Sequence, residues 1–285
     1  MIAISSGDGT SAGSANRPGW QALLSRPSPA VMGVLNVTPD SFSDGGQFMA
    51  PDRALAQARR MIAEGADIID IGAESTRPYG AKAISAGEEL KRLQPILADI
   101  VSLGIPVSID SVKSDVVVWA LDAGAKIAND VWGLQRDPDM ARLLAGRGCP
   151  LVIMHNRESA EGGIDIMRDI SEFFARSLEI AAKAGIAREN IVLDPGIGFG
   201  KTPEQSMMAI ARLDQFGTFG LPLLVGASRK RFISSISPSE PHQRLGGSIA
   251  AHLIAAKRGA RIIRTHDVYD TVQALRVAEA VWEKA

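Results

Sequence analysis

Eight times between Val31 and Asp267 the chain repeats one unit, a short and nearly continuous apolar run followed by a stretch with helical spacing. The runs begin near Val31, Asp67, Pro106, Lys126, Leu151, Ile191, Leu221 and Arg261. A strand with one wet face alternates apolar and polar residues; these runs instead place Val, Ile and Leu at successive positions, which suits strands covered on both faces in a parallel sheet. Between them, DRALAQARRMIAEGA (residues 52–66) sets Leu55, Ala58, Met61 and Ile62 on one face, with Gly65 as a stop signal. Residues 169–185, residues 244–259 and the closing DTVQALRVAEAVWEKA have the same design. Parallel strands need long crossovers, and eight such units predict an α/β fold, a single-domain (β/α)8 TIM barrel over residues 30–285. A doubly wound open sheet is the alternative. Residues 1–29, rich in Ser, Gly, Ala and Pro, read as a flexible leader, with Trp20, Leu23 and Leu24 able to dock near its end.

Composition removes several classes of function. Lys and Arg total 31 against 32 Asp and Glu, so the chain carries no electrostatic footprint for nucleic acid or an anionic membrane. It contains no apolar run of the ~18 residues that a spanning helix needs, and its start lacks the basic-then-apolar pattern of a secretory signal. A single cysteine, Cys149, excludes an internal disulfide framework and reads as a small core hydrophobe. The expectation is a soluble, cytoplasmic globular protein.

In such a barrel, chemistry gathers at the C-terminal ends of the strands. Here the runs end in Asn36; Ser75, Thr76 and Arg77; Asp110; Asn129 and Asp130; His155 and Asn156; Asp194; Ser228, Arg229, Lys230 and Arg231; and Arg264, His266 and Asp267. Asp130 and Asp267 are also well explained as local caps. The convergence of cations from the second, seventh and eighth runs points to a polar, anionic small molecule. DPGIGFGKT looks like a phosphate-cradling loop, but Pro195 stands where that motif needs its first glycine. His155, His242, His252 and His266 form no metal-binding pair by spacing, and His252 reads as structural. The long polar loops TPDSFSDGGQ and STRPYGAKAIS are candidate lids.

Seven blocks, NVTPDSFSDGG, GADIIDIGAESTRP, VSIDS, ANDV, LDPGIGFGKT, GASRKRFI and RTHDV, occur in an order that resembles the dihydropteroate synthase family. The resemblance spans residues 31–270. It implies a pterin-binding TIM barrel of folate biosynthesis that joins 6-hydroxymethyl-7,8-dihydropterin pyrophosphate to p-aminobenzoate, releasing 7,8-dihydropteroate and pyrophosphate. It further implies a Mg²⁺ requirement, sulfonamides as mimics of p-aminobenzoate, and a homodimer.

Position by position, the resemblance assigns Asp110, Asn129, Asp194 and Lys230 to the pterin, with Met154 and Arg264 lining its ring. Asn36 becomes the protein ligand of Mg²⁺, and His266 with Arg264 holds the diphosphate. Phe42, Thr76, Arg77, Pro78, Phe199 and Arg231 shape the p-aminobenzoate side. Arg77, Lys230, Arg264 and His266 are thus the groups expected to act in catalysis. A pterin offers an amide-like N–H and an amino group, for which buried carboxylates and an amide are suitable partners. The chain departs from the family's usual pattern at Ser111-Val112-Lys113 and at Asn156-Arg157-Glu158. A pterin-binding methyltransferase and a catalytically silent pterin-binding relative are the competing readings; the cations after the seventh and eighth runs favour a diphosphate substrate over a methyl carrier.

Overall fold

The computed structural model of the chain describes residues 19–38, 50–74 and 83–284. Eight parallel strands run in sequence order: β1 (Ala30–Asn36), β2 (Ile68–Gly72), β3 (Val107–Asp110), β4 (Ile127–Asp130), β5 (Leu151–Met154), β6 (Ile191–Asp194), β7 (Leu223–Val225) and β8 (Ala260–Thr265). β1 pairs with both β2 and β8, so the sheet closes into a barrel and the open-sheet alternative is excluded.

Eleven α-helices are present among the described residues: α1 (Trp20–Leu24), α2 (Ala50–Ala63), α3 (Ala86–Leu93), α4 (Leu97–Val101), α5 (Ser114–Asp122), α6 (Met140–Ala145), α7 (Ile166–Ala184), α8 (Pro203–Ala211), α9 (Arg231–Ile236), α10 (Leu245–Lys257) and α11 (Val268–Trp282). The expected helix positions hold, and their ends shift by a few residues for identifiable reasons. α7 starts at Ile166, earlier than its apolar pattern suggested, because the Asp165 carboxylate accepts the Met167 and Arg168 N–H groups; it stops at Gly185, whose φ of 84° is left-handed. α2 stops at Ala63 because Gly65, at φ 101°, turns the chain toward β2.

Along each strand the side chains alternate between two cores. Outward residues such as Val31, Ile69, Ile109, Ile153, Leu193 and Ile263 join the helices in one continuous layer. Inward residues Ala30, Met32, Ile68, Ile127, Val152, Val192, Leu224 and Ile262 form a second cluster inside the barrel, and Leu23 and Leu24 of α1 belong to it. α1 therefore plugs the N-terminal end of the barrel. Each fully buried leucine there is worth about 1.5–3 kcal/mol of transfer free energy. No helix among the described residues is long and apolar enough to cross a membrane.

Candidate active site

The same alternation that builds the apolar floor delivers the polar groups above it. Two residues beyond Ile68, Ile127, Val152, Val192 and Ile262 come Asp70, Asn129, Met154, Asp194 and Arg264, all on the inner face. The register aligns Asn36 with Gly72, Gly72 with Asp110, and Asp110 with Asn129, so these neighbours share one level at the C-terminal mouth. Met154 is likewise level with Asp194.

Arg264 organises the interior. Its Nε donates to Asp70 Oδ2 at 2.7 Å, and Nη2 donates to Asp110 Oδ2, also at 2.7 Å. Asn129 Nδ2 lies 3.2 Å from Asp70 Oδ2. Burial opposes the charge on Arg264, but Asp70 and Asp110 outweigh it and hold the guanidinium firmly ionised. Burial pushes Asp110 up to about 7, against the pull of Arg264 and with the help of Asp70. Asp110 Oδ1 is buried and has no hydrogen-bond partner among the described residues. A buried acceptor left without a donor costs about 1–3 kcal/mol. A side chain at Gly72 would sit 3.5 Å from the Asp110 Cβ and 3.8 Å from Asn36 Oδ1, so glycine keeps the space between those two open.

On the opposite wall, Asp194 is raised to about 6 by burial, although the Gly196 N–H bonds its Oδ1 at 2.7 Å and Lys230 favours its charge. Lys230 is lowered to about 8 by burial and by Arg264, with Asp194 and Asp110 opposing. Its ammonium lies 3.9 Å from the centroid of the Phe199 ring. Met154 and Phe199 belong to one small apolar cluster with Val131. His266 Nδ1 is 3.0 Å from Ser228 Oγ, and burial together with Arg264, Arg229 and Lys230 lowers the imidazole to about 3, so it is neutral. Arg231 opens α9 and is exposed.

This collection of buried acids around a fixed guanidinium, with cations on one side, sits on a chain whose residues 32–266 match the model of the family described as pterin binding enzyme. The chain belongs to the pterin-binding enzyme family. It is 42% identical over 264 residues to dihydropteroate synthase of Bacillus subtilis, covering 92% of each chain. It is 43% identical over 259 residues to dihydropteroate synthase of Escherichia coli K12, covering 88% of this chain and 91% of that one. The solved Xanthomonas albilineans dihydropteroate synthase with 4-aminobenzoic acid superposes with a TM-score of 0.87, at 42% identity, covering 91% of this chain and 94% of that one.

Within this pterin-binding barrel, Asn36, Asp110, Asn129, Met154, Asp194 and Arg264 converge on the interior, and Phe199, Lys230 and His266 gather around its mouth. Phe42, Thr76, Arg77 and Pro78 lie outside the described residues. Two side chains expected at the rim face outward instead. His155 is 2.9 Å from Asp169 on α7 and packs edge-on against Phe173; Asp130 accepts the Trp132 and Leu134 N–H groups. Asp267 pairs with Arg229, its Oδ2 3.0 Å from Nε. Asp70, fully buried, lies inside β2 and not at a strand end, so the pattern of polar strand ends does not reveal it. Its signal was there: an acid inside the apolar run IIDIG, in phase with Ile68 and Gly72, must point into the barrel. The Gly-Lys-Thr run is no phosphate cradle either, because Thr202 forms a capping box with Gln205 at the start of α8.

Proposed function

We propose that the protein is a dihydropteroate synthase, condensing 6-hydroxymethyl-7,8-dihydropterin pyrophosphate with p-aminobenzoate to give 7,8-dihydropteroate and pyrophosphate. The observation that carries this reading is the buried, unpartnered Asp110 Oδ1 beside the Asp70–Arg264–Asn129 lattice. A pterin presents several N–H donors at the spacing of one fused ring, and an acceptor already desolvated is ready for one of them. The likeness to named dihydropteroate synthases supports the same reading, and so does the 4-aminobenzoic acid in the Xanthomonas structure.

Asp110, Asn129 and Asp194 hold the pterin edge, with Met154 and Arg264 against the ring. Lys230 bridges the acids and the mouth, where Phe199 and Arg231, with Phe42, Thr76, Arg77 and Pro78, form the p-aminobenzoate side. No group of three His, Cys, Asp or Glu side chains among the described residues is arranged to hold a metal. Asn36 offers one half-buried amide oxygen, and that donor set fits Mg²⁺, which favours one or two protein oxygens completed by substrate phosphate and water. Asn36 would hold it, and the ion when bound neutralises charge on the diphosphate.

The carbon–oxygen bond between the pterin methylene and the diphosphate breaks first, leaving positive charge on the methylene. The neutral amine of p-aminobenzoate then forms the carbon–nitrogen bond and sheds a proton. His266 and the cationic mouth stabilise the departing charge, and no side-chain nucleophile is required. We also place this activity in the cytoplasm and in a homodimer. The exposed large apolar side chains among the described residues, Met208, Ile236, Ile254, Tyr269, Val277 and Val281, all fall on α8 to α11, which favours a partner on that side.

The test is a coupled assay for pyrophosphate with both substrates and Mg²⁺, with the pteroate product identified by chromatography. Release of pyrophosphate that depends on p-aminobenzoate supports the assignment. Pterin binding without release, or a preference for methyltetrahydrofolate, overturns it.

A further inference from the structure

Behind the Phe199 wall lies a buried polar chain that the proposed reaction does not use. The segment Pro195–Lys201 joins β6 to α8 and carries glycines in the left-handed region at positions 196, 198 and 200, with φ of 66°, 80° and 53°. They allow the segment to lie directly on the chain that leaves β5. A Cβ at Gly196 would fall 1.9 Å from the His155 carbonyl oxygen, and one at Gly200 would fall 2.5 Å from the Arg157 carbonyl oxygen. Lys201 then folds back beneath this segment, only 6% exposed. Its Nζ donates to the Phe199 carbonyl at 3.1 Å and lies 2.6 Å from His155 Nδ1.

Burial lowers Lys201 to about 7, with Asp194 and Asp169 opposing, so at pH 6 it is an ammonium, which donates and cannot accept. His155 Nδ1 must therefore be the acceptor, which leaves the proton on Nε2, where Asp169 Oδ2 receives it at 2.9 Å. Arg157 Nη1 holds the other Asp169 oxygen at 2.8 Å. The chain runs without a break from α7 through Asp169, His155 and Lys201 to the backbone of Phe199, whose ring meets Lys230.

We propose that Lys201 is a positioning residue: by clamping the Phe199 carbonyl to the His155 ring it sets the Phe199 side chain against Lys230, on the p-aminobenzoate side of the site. This rests on the synthase reading for the identity of that substrate. Burial, then the charge of Lys201, keeps His155 down at about 3, so the ring is a neutral link and not an acid or base. Lys201 touches no reacting atom. Its effect passes through Phe199, which separates it from a residue that merely holds the barrel together.

The experiment has two arms. In the first, Lys201→Met, Phe199→Ala and the double variant are compared in steady-state assays. The expected result is a p-aminobenzoate KM raised about tenfold in Lys201→Met, with kcat and the pterin KM changed by less than about twofold. The double variant should be little worse than Phe199→Ala alone, because both changes remove one interaction. Loss confined to kcat or to the pterin KM, or additive effects in the double variant, overturns the proposal.

In the second arm, the tautomer of His155 is read by nitrogen-15 NMR in the unmodified protein, so the inference stays testable if Lys201→Met does not fold. A neutral ring protonated on Nε2 at pH 6 is expected, and a ring protonated on Nδ1 or charged at that pH overturns the clamp. A protein that shows the expected tautomer but releases no pyrophosphate refutes the synthase reading and leaves the clamp standing.

Discussion

The two ends of this barrel are made from the same strands and the same alternation, yet they obey opposite physics. At the N-terminal end, inward positions carry Ile68, Ile127, Val192 and Ile262, and α1 seals them with Leu23 and Leu24. At the C-terminal end, two residues further along, the inward positions carry Asp70, Asn129, Asp194 and Arg264. The floor gains stability by removing apolar surface from water. The mouth spends part of that gain on desolvated acids that are only partly compensated, as the raised Asp110 and Asp194 show. A binding site of this kind is held open by the rest of the fold; it would not form by itself.

The largest effect should come from removing the cation that holds the mouth together. Arg264→Met leaves Asp70 and Asp110 without their guanidinium. Turnover should fall by about a thousandfold, and the fold should lose about 3–5 kcal/mol, since breaking a buried pair strands the surviving charges. Pyrophosphate release and urea unfolding check both. An Arg264→Met protein as stable as its parent would mean that the mouth is not the strained end.

Asn36→Ala tests the mouth without touching its buried charges. Turnover should drop roughly a hundredfold at limiting Mg²⁺ and recover partly as Mg²⁺ is raised, with unfolding unchanged. Full activity of the unmodified protein in excess chelator would remove Asn36 from this role.

Asp194→Asn should weaken pterin binding by about tenfold in calorimetry, because an amide N–H would face the pterin N–H. The stability of the empty protein sharpens the comparison. Burial raises Asp194 from 3.8 to about 6, so the folded state binds its proton more tightly than the unfolded chain. The group favours folding below pH ~4, and that contribution is lost as pH rises through about 6. Relative to the parent, Asp194→Asn should therefore gain stability between pH ~4 and ~7, by on the order of 3 kcal/mol. Parallel stability curves across that range would show that the carboxylate is not strained.

The smallest effect on function belongs to the floor. Leu23→Ala should cost about 2–3 kcal/mol of stability, from lost burial and the cavity left behind, while kcat and both KM values stay within about twofold. A matching loss of turnover would mean that the two ends are coupled through the barrel interior.

Much of this architecture can be read from the chain alone. Eight apolar runs separated by helical stretches dictate parallel strands with crossovers, and Asp110, Asn129 and Asp194 close three of those runs, so their place at the mouth follows from phase and position. Asp70 was within reach of the same reasoning, since an acid in phase with Ile68 can only face inward. The direction of His155 was readable too, one residue out of phase with Met154, but a histidine at a strand end looks like a site residue until its partner is known.

Local sequence dictates which face of a strand each residue occupies, because side-chain direction alternates with every peptide unit. It does not dictate who stands opposite. That Arg264 reaches across the barrel from β8 to Asp70 and Asp110, that Lys201 turns inward to His155 instead of outward to a phosphate, and that Lys230 lies over Phe199 are decided only when the eight strands close into a ring and bring together residues up to 194 positions apart in the chain. Those contacts depend on barrel register and on distances of a few ångströms, and no short segment of the chain contains both partners.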